Sequence, residues 1–200
     1  MRPLPAPWRP MCAADLPGVQ RLAGLIHPAY PEDPAVFAER LLLCPEGCRM
    51  LDGAAGPAGY LVSHPWHART VPDLDTLVGA LPERPGAWCL HDLALLPEAR
   101  GTGAAAEAVE AVLALAGGRG VPEAVLVAVG AAGPFWQRRG FGPIAEPAPA
   151  GYGAGARLMV RPLIRNPYDR FRRPQAAAFA MRISASLRCA QSSALRRAGW

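Results

Sequence analysis

The stretch PEARGTGAAAEAV, residues 97–109, decides the fold of this chain, because it joins the strongest strand pattern to a helix. That strand pattern is AWCLHDLALL, residues 87–96, and the alanine-rich end of the stretch has helical spacing. Glycines at the start of a helix leave its free N–H groups and the positive end of its dipole open to an anion. Arg100 adds a planar set of N–H donors. We therefore predict a binding site for a pyrophosphate at this turn.

Two known phosphate-binding patterns can be compared with this turn. Gly101-x-Gly103-x-x-Ala106 nominally fits the dinucleotide-binding fingerprint. However, four residues separate the strand from the first glycine, and the next strand pattern ends in Val129 rather than in an acidic residue. A P-loop is excluded because the chain has no Gly-Lys-Ser/Thr sequence. A dinucleotide-binding oxidoreductase is therefore the weaker alternative.

Hydrophobic spacing and helix-capping residues indicate the remaining elements. Their order along the chain is strand, helix, helix, strand, strand, strand, helix, strand, helix, strand and strand. Asp33 and Pro34 are typical of an N-cap and a first helical residue. Residues 67–86 have weak periodicity, so we expect a long loop there with one helical turn around residues 74–81. The sequence thus predicts an α/β domain, with a mixed sheet of six to seven strands and about four helices.

Charge divides the chain into a domain and a tail. Residues 165–200 hold eight arginines and one acidic residue, whereas residues 1–164 hold 13 arginines and 15 acidic residues. The net charge of +5 therefore comes from the tail, and the domain gives no reason to propose a nucleic-acid partner. We expect a folded domain over residues 1–164 and a basic tail, either disordered or helical, over residues 165–200.

Cysteine usage and hydropathy bear on the compartment. Five cysteines, an odd number, without a signal peptide argue against a disulfide framework. Cys44 and Cys48 lack a second pair of ligands at zinc spacing, so we expect buried thiols and no metal. No apolar run approaches the ~20 residues of a membrane span. The sequence predicts a cytoplasmic protein without a membrane partner.

The glycine turn and a second motif together resemble one enzyme superfamily. Arg100, Gly103 and Ala105 match the R-x-x-G-x-G/A signature with which that superfamily binds acetyl-CoA. FWQRRGF, residues 135–141, is similar to its F-Y-x-x-x-G-F segment, at the expected distance along the chain. On these motifs, the chain resembles the GNAT N-acetyltransferases, and the resemblance covers roughly residues 8–163.

Within that superfamily, LHDLALLPEARGTG, residues 90–103, most resembles the arylalkylamine N-acetyltransferase branch. The resemblance implies transfer of acetyl from acetyl-CoA to a primary amine, on a small molecule or a peptide, by direct attack. Two positions depart from the branch. Cys89 replaces one of two strand histidines, and Trp136 replaces the tyrosine that protonates the leaving thiolate in many relatives. These departures keep open a second hypothesis, an acetyl-CoA-binding protein with weak or no catalysis.

The resemblance also implies which residues bind the substrates. In the family, the strand before the glycine turn separates from its neighbour and pairs with the pantetheine arm, and a backbone N–H then polarises the thioester carbonyl. The implied acetyl-CoA-binding residues are Leu93, Ala94, Leu95, Arg100, Gly101, Thr102, Gly103, Ala104, Ala105, Phe135 and Trp136. His64, Trp66 and His67 fall where relatives form the acceptor pocket. Arg138 and Arg139 have two interpretations, contact with the phosphates of the cofactor or, as we expect, a solvated face.

His91 and Asp92 are the candidate catalytic bases. His91 matches the family position, and histidine exchanges protons near neutral pH. Side chains alternate along a regular strand, so the two candidates are expected on opposite faces. One face would hold Cys89, His91, Leu93 and Leu95, and the other Leu90, Asp92 and Ala94.

Removal of the basic tail tests the predicted domain boundary. Because the tail lies outside the resemblance, a chain truncated after Leu163 should fold and bind acetyl-CoA within about threefold of the full chain, a difference below ~0.7 kcal/mol. Calorimetric titration and thermal unfolding measure both properties. A truncated chain that is insoluble or unfolded would show that the tail packs on the domain.

Overall fold

The computed structural model describes residues 8–163. The predicted tail, with its expected disorder or helix, lies outside these residues. The strands are β1 (Trp8–Pro10), β2 (Arg49–Gly53), β3 (Gly56–Trp66), β4 (Ala87–Leu95), β5 (Glu123–Ala128), β6 (Gly142–Pro143) and β7 (Arg157–Pro162). The α-helices are α1 (Leu16–Ile26), α2 (Pro34–Leu43), α3 (Ala104–Gly118) and α4 (Gly133–Gln137).

The strands form one mixed sheet in the order β1-β2-β3-β4-β5-β7-β6. Neighbouring strands are antiparallel, except that β4 and β5 run parallel. The connection between the parallel strands contains α3, as a crossover requires. The predicted fold class, a mixed sheet of six to seven strands with about four helices, is confirmed.

Local sequence sets the helix boundaries. The Asp33 side chain accepts a hydrogen bond from the Ala35 N–H at 2.8 Å, and Pro34 occupies the first turn of α2, as predicted. The start of α3 is different, because Gly103 precedes it with a φ of +100°, a conformation that favours glycine. At the other end of α3, Gly120 also has a positive φ, of +71°. Helices α1 and α2 thus have proline in their first turn, and α3 is bounded by glycines.

Hydrophobic side chains pack on both faces of the sheet. One cluster joins α1 and α2 to the sheet through Val19, Leu22, Phe37, Met50 and Tyr60. The other joins α3 and α4 to it through Trp88, Val109, Val112, Leu126 and Phe141. Cys44 and Cys48 are fully buried, as expected, and burial raises the pKa of each thiol to about 12.

Strand β4 departs from regular geometry in the middle. It pairs with β5 only from Ala87 to Cys89, and beyond this point the two strands separate. On its other edge Leu90 pairs with Ser63 and Asp92 with Val62, so His91 is the extra residue of a β-bulge. The bulge reverses the alternation of side chains that follow it. The predicted strict alternation is therefore wrong, and the faces must be assigned from contacts.

The segment between β3 and β4 is a long loop, as predicted, but it contains no helical turn at residues 74–81. Two carboxylates, one in α2 and one just before it, accept hydrogen bonds from loop N–H groups. In a helix these N–H groups would instead bind carbonyls of the preceding turn. Glu39 accepts hydrogen bonds from the Val78 and Gly79 N–H groups at 2.9 and 2.8 Å. Glu32 accepts from the Asp75 N–H at 3.2 Å. The two carboxylates, one within α2 and one just before it, therefore hold the loop against this helix.

No helix among residues 8–163 is long and apolar enough to cross a membrane.

Candidate active site

Two adjoining cavities lie where β4 and β5 separate. The first, which we call the groove, has a volume of about 600 Å³ and runs past the glycine turn and α4. The second, which we call the inner cavity, has a volume of about 100 Å³ and lies deeper in the cleft. Both are lined by His27, Leu93, Ala132 and Trp136. A molecule in the groove would therefore meet a molecule in the inner cavity beside His27 and Trp136.

The glycine turn leaves bare backbone along the groove. Gly101 and Gly103 line it with φ values of +73° and +100°, and nothing lies within 4 Å of a Cβ built at either glycine. A side chain at either glycine would therefore meet open space beside the groove and would strain the backbone. The first turn of α3 adds N–H groups without helical partners. Such a surface suits a phosphate or pyrophosphate.

The other predicted residues of the turn have two different roles. Arg100 lines the groove and donates from Nε to the Leu95 carbonyl at 3.0 Å, which fixes its side chain at the end of β4. The Thr102 hydroxyl donates to the Ala99 carbonyl at 2.8 Å, and Ala104 is buried and accepts from the Trp8 indole at 2.9 Å. Thr102 and Ala104 therefore shape the turn, and their side chains are not part of the groove wall.

The predicted cofactor-binding residues of β4 face two different sides of the sheet. Leu93 and Leu95 line the groove, and each packs with clusters on the α3 side of the sheet. Ala94 is 1% exposed and belongs to the cluster beneath α1 and α2, so only its backbone is available at the strand edge. Because β5 has separated, the β4 edge facing the groove has no strand partner beyond Cys89 among residues 8–163. A linear polar chain can pair with such an edge.

Residues of α4 and the turn after it form the opposite wall. Ala105, Phe135 and Trp136 line the groove, as the resemblance implied. Arg138 and Arg139 line it too, with Arg138 exposed and Arg139 half-buried. The Arg139 guanidinium lies 3.8 Å from the centre of the Phe135 ring, and burial lowers its pKa. With Arg100, these two arginines make the groove rim positively charged.

His91 is paired with a buried carboxylate. Its Nε2 lies 3.0 Å from Oε2 of Glu32, and the two side chains are only 2% and 5% exposed. Nδ1 of His91 is buried without a hydrogen-bond partner in residues 8–163. When Nε2–H donates a hydrogen bond to Glu32, Nδ1 of the neutral ring retains its lone pair. Both residues line the inner cavity, so this arrangement holds a proton acceptor at the cleft.

Asp92, the second candidate base, already has two partners. It accepts a hydrogen bond from the Tyr60 hydroxyl, and one of its carboxylate oxygens lies 3.3 Å from Nε2 of His27. The carboxylate raises the pKa of His27, whereas burial raises that of Tyr60. Asp92 therefore favours a protonated His27.

The expected acceptor-pocket residues lie elsewhere. His64 is fully buried, and burial together with the neighbouring His91 lowers its pKa to about 3, so it stays neutral. Trp66 packs against the cluster around Cys89 and Val125, and His67 is exposed. None of these three side chains lines the groove or the inner cavity.

The family match accounts for this arrangement. The model of the acetyltransferase (GNAT) family matches residues 21–141, which include the cleft, the glycine turn and α4. The chain belongs to the GNAT acetyltransferase family. No curated protein sequence matches the chain significantly.

Solved structures share the GNAT fold at low sequence identity. Ard1 from Thermoplasma volcanium is 16% identical with a TM-score of 0.61, covering 80% of this chain and 99% of its own. The GNAT-like decarboxylase GphF, in complex with isobutyryl-CoA, is 18% identical with a TM-score of 0.62, over 79% and 100%. The ribosomal-protein-S18-alanine N-acetyltransferase from Escherichia coli is 15% identical with a TM-score of 0.55, over 80% and 95%. These likenesses establish the fold.

Several lining residues of this GNAT domain were not predicted from the sequence. The inner cavity is also lined by His27, Tyr30, Glu32, Leu74 and Tyr152. His27 ends α1 and Glu32 precedes α2, where the sequence shows only helix boundaries. Tyr152 comes from the segment between β6 and β7. Polar residues beside helix ends were the one available signal, and only the fold brings them to β4.

Proposed function

We propose that this chain is an N-acetyltransferase that transfers acetyl from acetyl-CoA to a primary amine by direct attack. The observation that carries the proposal is the junction of two cavities at the point where β4 and β5 separate. A glycine-lined, positively charged groove leads into this junction, and the His91–Glu32 pair lies at its inner side.

The groove has the chemistry that acetyl-CoA requires. The bare backbone at Gly101 and Gly103, with the nearby Arg100 and Arg138, suits the pyrophosphate. The free edge of β4 offers hydrogen bonds to the amides of the pantetheine arm, and Leu93 gives it an apolar wall. The complex of GphF with isobutyryl-CoA supports this assignment by analogy.

The inner cavity has the chemistry of an amine site. Glu32 and Asp92 are carboxylates, which attract a protonated amine, and Tyr30, Leu74 and Tyr152 supply an apolar wall. This combination favours an amine carried on an apolar or aromatic body. The motif resemblance to the arylalkylamine N-acetyltransferase branch supports the same class of acceptor, and a peptide amine is the alternative.

The proposed reaction assigns three tasks to this chain. His91 accepts the amine proton on Nδ1, directly or through water, while Glu32 holds Nε2–H. A free N–H of β4 polarises the thioester carbonyl, a kind of contact worth roughly 3 kcal/mol to a transition state. The groove orients the thioester toward the inner cavity. Asp92 is the rival base, but its contacts with Tyr60 and His27 favour an orienting role.

A panel of amines tests the function. With acetyl-CoA, at least one small aromatic or apolar amine should cause release of free thiol well above the rate of hydrolysis without amine. Peptides with free N-termini and polyamines form the comparison arms. Acetyl-CoA binding by calorimetry without thiol release for any amine would favour the non-catalytic acetyl-CoA-binding alternative. Quenching of tryptophan fluorescence by NADH, without acetyl-CoA binding, would favour the oxidoreductase.

A further inference from the structure

One step of the proposed reaction, protonation of the departing thiolate, still has no residue assigned to it. In the usual position for a tyrosine, this chain has Trp136, and an indole N–H is a donor with no proton that it can release near neutral pH. Trp136 is 8% exposed and lines both cavities. Any substitute must therefore be found among the other side chains at the same junction.

His27 is the one titratable side chain, within residues 8–163, that lines both the groove and the inner cavity. It caps the end of α1, and its side chain is 26% exposed, although Nε2, which faces Asp92, is buried. Leu93 and Ala132, the other two shared residues, are apolar. We propose, on the basis of the acetyl transfer proposed above, that His27 is a catalytic residue that donates a proton to the leaving thiolate.

The residues around His27 favour its protonated form. Asp92 on β4 is 3.3 Å from Nε2, and Tyr60 binds the same carboxylate and holds it in place. The Asp92 contact raises the pKa of His27. Burial opposes this rise, and Arg100, from the turn before α3, opposes it more weakly. Across the inner cavity, His27 is faced by Tyr30, Glu32, His91 and Tyr152. Asp92 thus acts as a positioning residue for an imidazolium.

The proton transfers balance when the two histidines act together. The amine first loses its ammonium proton to solvent. The neutral amine nitrogen then bonds to the acetyl carbonyl carbon, and the carbon–sulfur bond breaks with its electron pair on sulfur. His91 takes one proton from the amine and becomes cationic. His27 gives one proton to sulfur and becomes neutral. Exchange with solvent then returns both rings to their starting states.

A pH profile of kcat for His27→Asn tests the proposal. In the parent, kcat should fall as pH rises through the pKa of His27, because only the protonated ring donates. The variant should lack this falling limb and be about fivefold slower on the low-pH side. The loss is smaller than is typical of a positioned acid, because an alkyl thiol with a pKa of about 8.5 leaves readily. At high pH the two proteins should converge.

Two further variants separate this role from a structural one. Asp92→Asn should move the falling limb to lower pH, because it removes the carboxylate that raises the pKa of His27. His27→Gln should reproduce His27→Asn. Equal slowing of both His27 variants at every pH, or an unchanged falling limb, overturns the proposal while the acetyltransferase function stands. A parent that releases no thiol with any amine overturns the function and the proposal together.

Discussion

His91→Ala is expected to lower kcat by roughly 10²-fold or more, the typical contribution of a positioned base. Because a general base acts in its unprotonated form, the parent rate should rise with pH, and the variant should lack this rising limb. Acetyl-CoA affinity should remain within about threefold, because the groove is lined by the glycine turn, β4 and α4, and His91 lies on the inner cavity. Steady-state kinetics across pH and calorimetric titration with acetyl-CoA measure the two effects.

The buried His91–Glu32 pair allows a second test of the base, by substitution of Glu32. Glu32→Gln removes the charge that faces Nε2 of His91 and supplies an amide that can bind either ring tautomer. We expect a smaller loss of kcat than for His91→Ala, with the rising limb retained. Nitrogen NMR of the His91 ring should show the Nδ1 lone pair in the parent and a mixture of tautomers in the variant.

Matched controls identify the base. His67 is exposed and lines neither cavity, so His67→Ala should retain the parent kcat and its pH profile. Asp92→Asn should keep the rising limb. If Asp92→Asn abolishes that limb while His91→Ala remains active, Asp92 is the base. If both variants remain active with the limb intact, neither strand residue is the base.

The sequence predicted the frame of the site because its signals are local. Asp33 and Pro34 start α2 by capping chemistry, and the glycines start α3 by their backbone freedom, without help from distant residues. The pattern of β4 was strong enough to give its bounds within one residue. The frame therefore follows from short stretches of sequence whose chemistry acts within a few residues.

The side chains that line the inner cavity are brought together by contacts between residues distant in the sequence. His91 and Glu32 are 59 positions apart, and nothing local to either residue specifies the pair. The bulge at His91 has the same origin, since it is fixed by the register of β4 against β3. A strict alternation rule therefore assigned Asp92 and Leu93 to the wrong faces. Tyr152 lines the inner cavity beside Leu74, and the preceding residue, Gly151, lies against the Leu74 side chain.

Gly103→Val is expected to weaken acetyl-CoA binding at least ~10-fold, equivalent to ~1.4 kcal/mol. Gly103 lines the groove with a φ of +100°, and nothing lies within 4 Å of a Cβ placed there. A branched side chain there would occupy the space proposed for the pyrophosphate, and it would disturb the first N–H groups of α3. Calorimetric titration with acetyl-CoA measures the loss.

Valine at a positive φ also strains the backbone, so the loss of affinity needs a control with the same strain. Gly120 supplies it, because it follows the other end of α3 with a φ of +71°, has no neighbour within 4 Å of a built Cβ, and does not line the groove. Gly120→Val should lower the unfolding temperature by a similar amount and leave acetyl-CoA affinity unchanged. Equal losses of affinity in both variants would attribute the effect to stability. Unchanged affinity in folded Gly103→Val would rule out the glycine turn as the pyrophosphate site, since no ligand bound there could tolerate the added side chain.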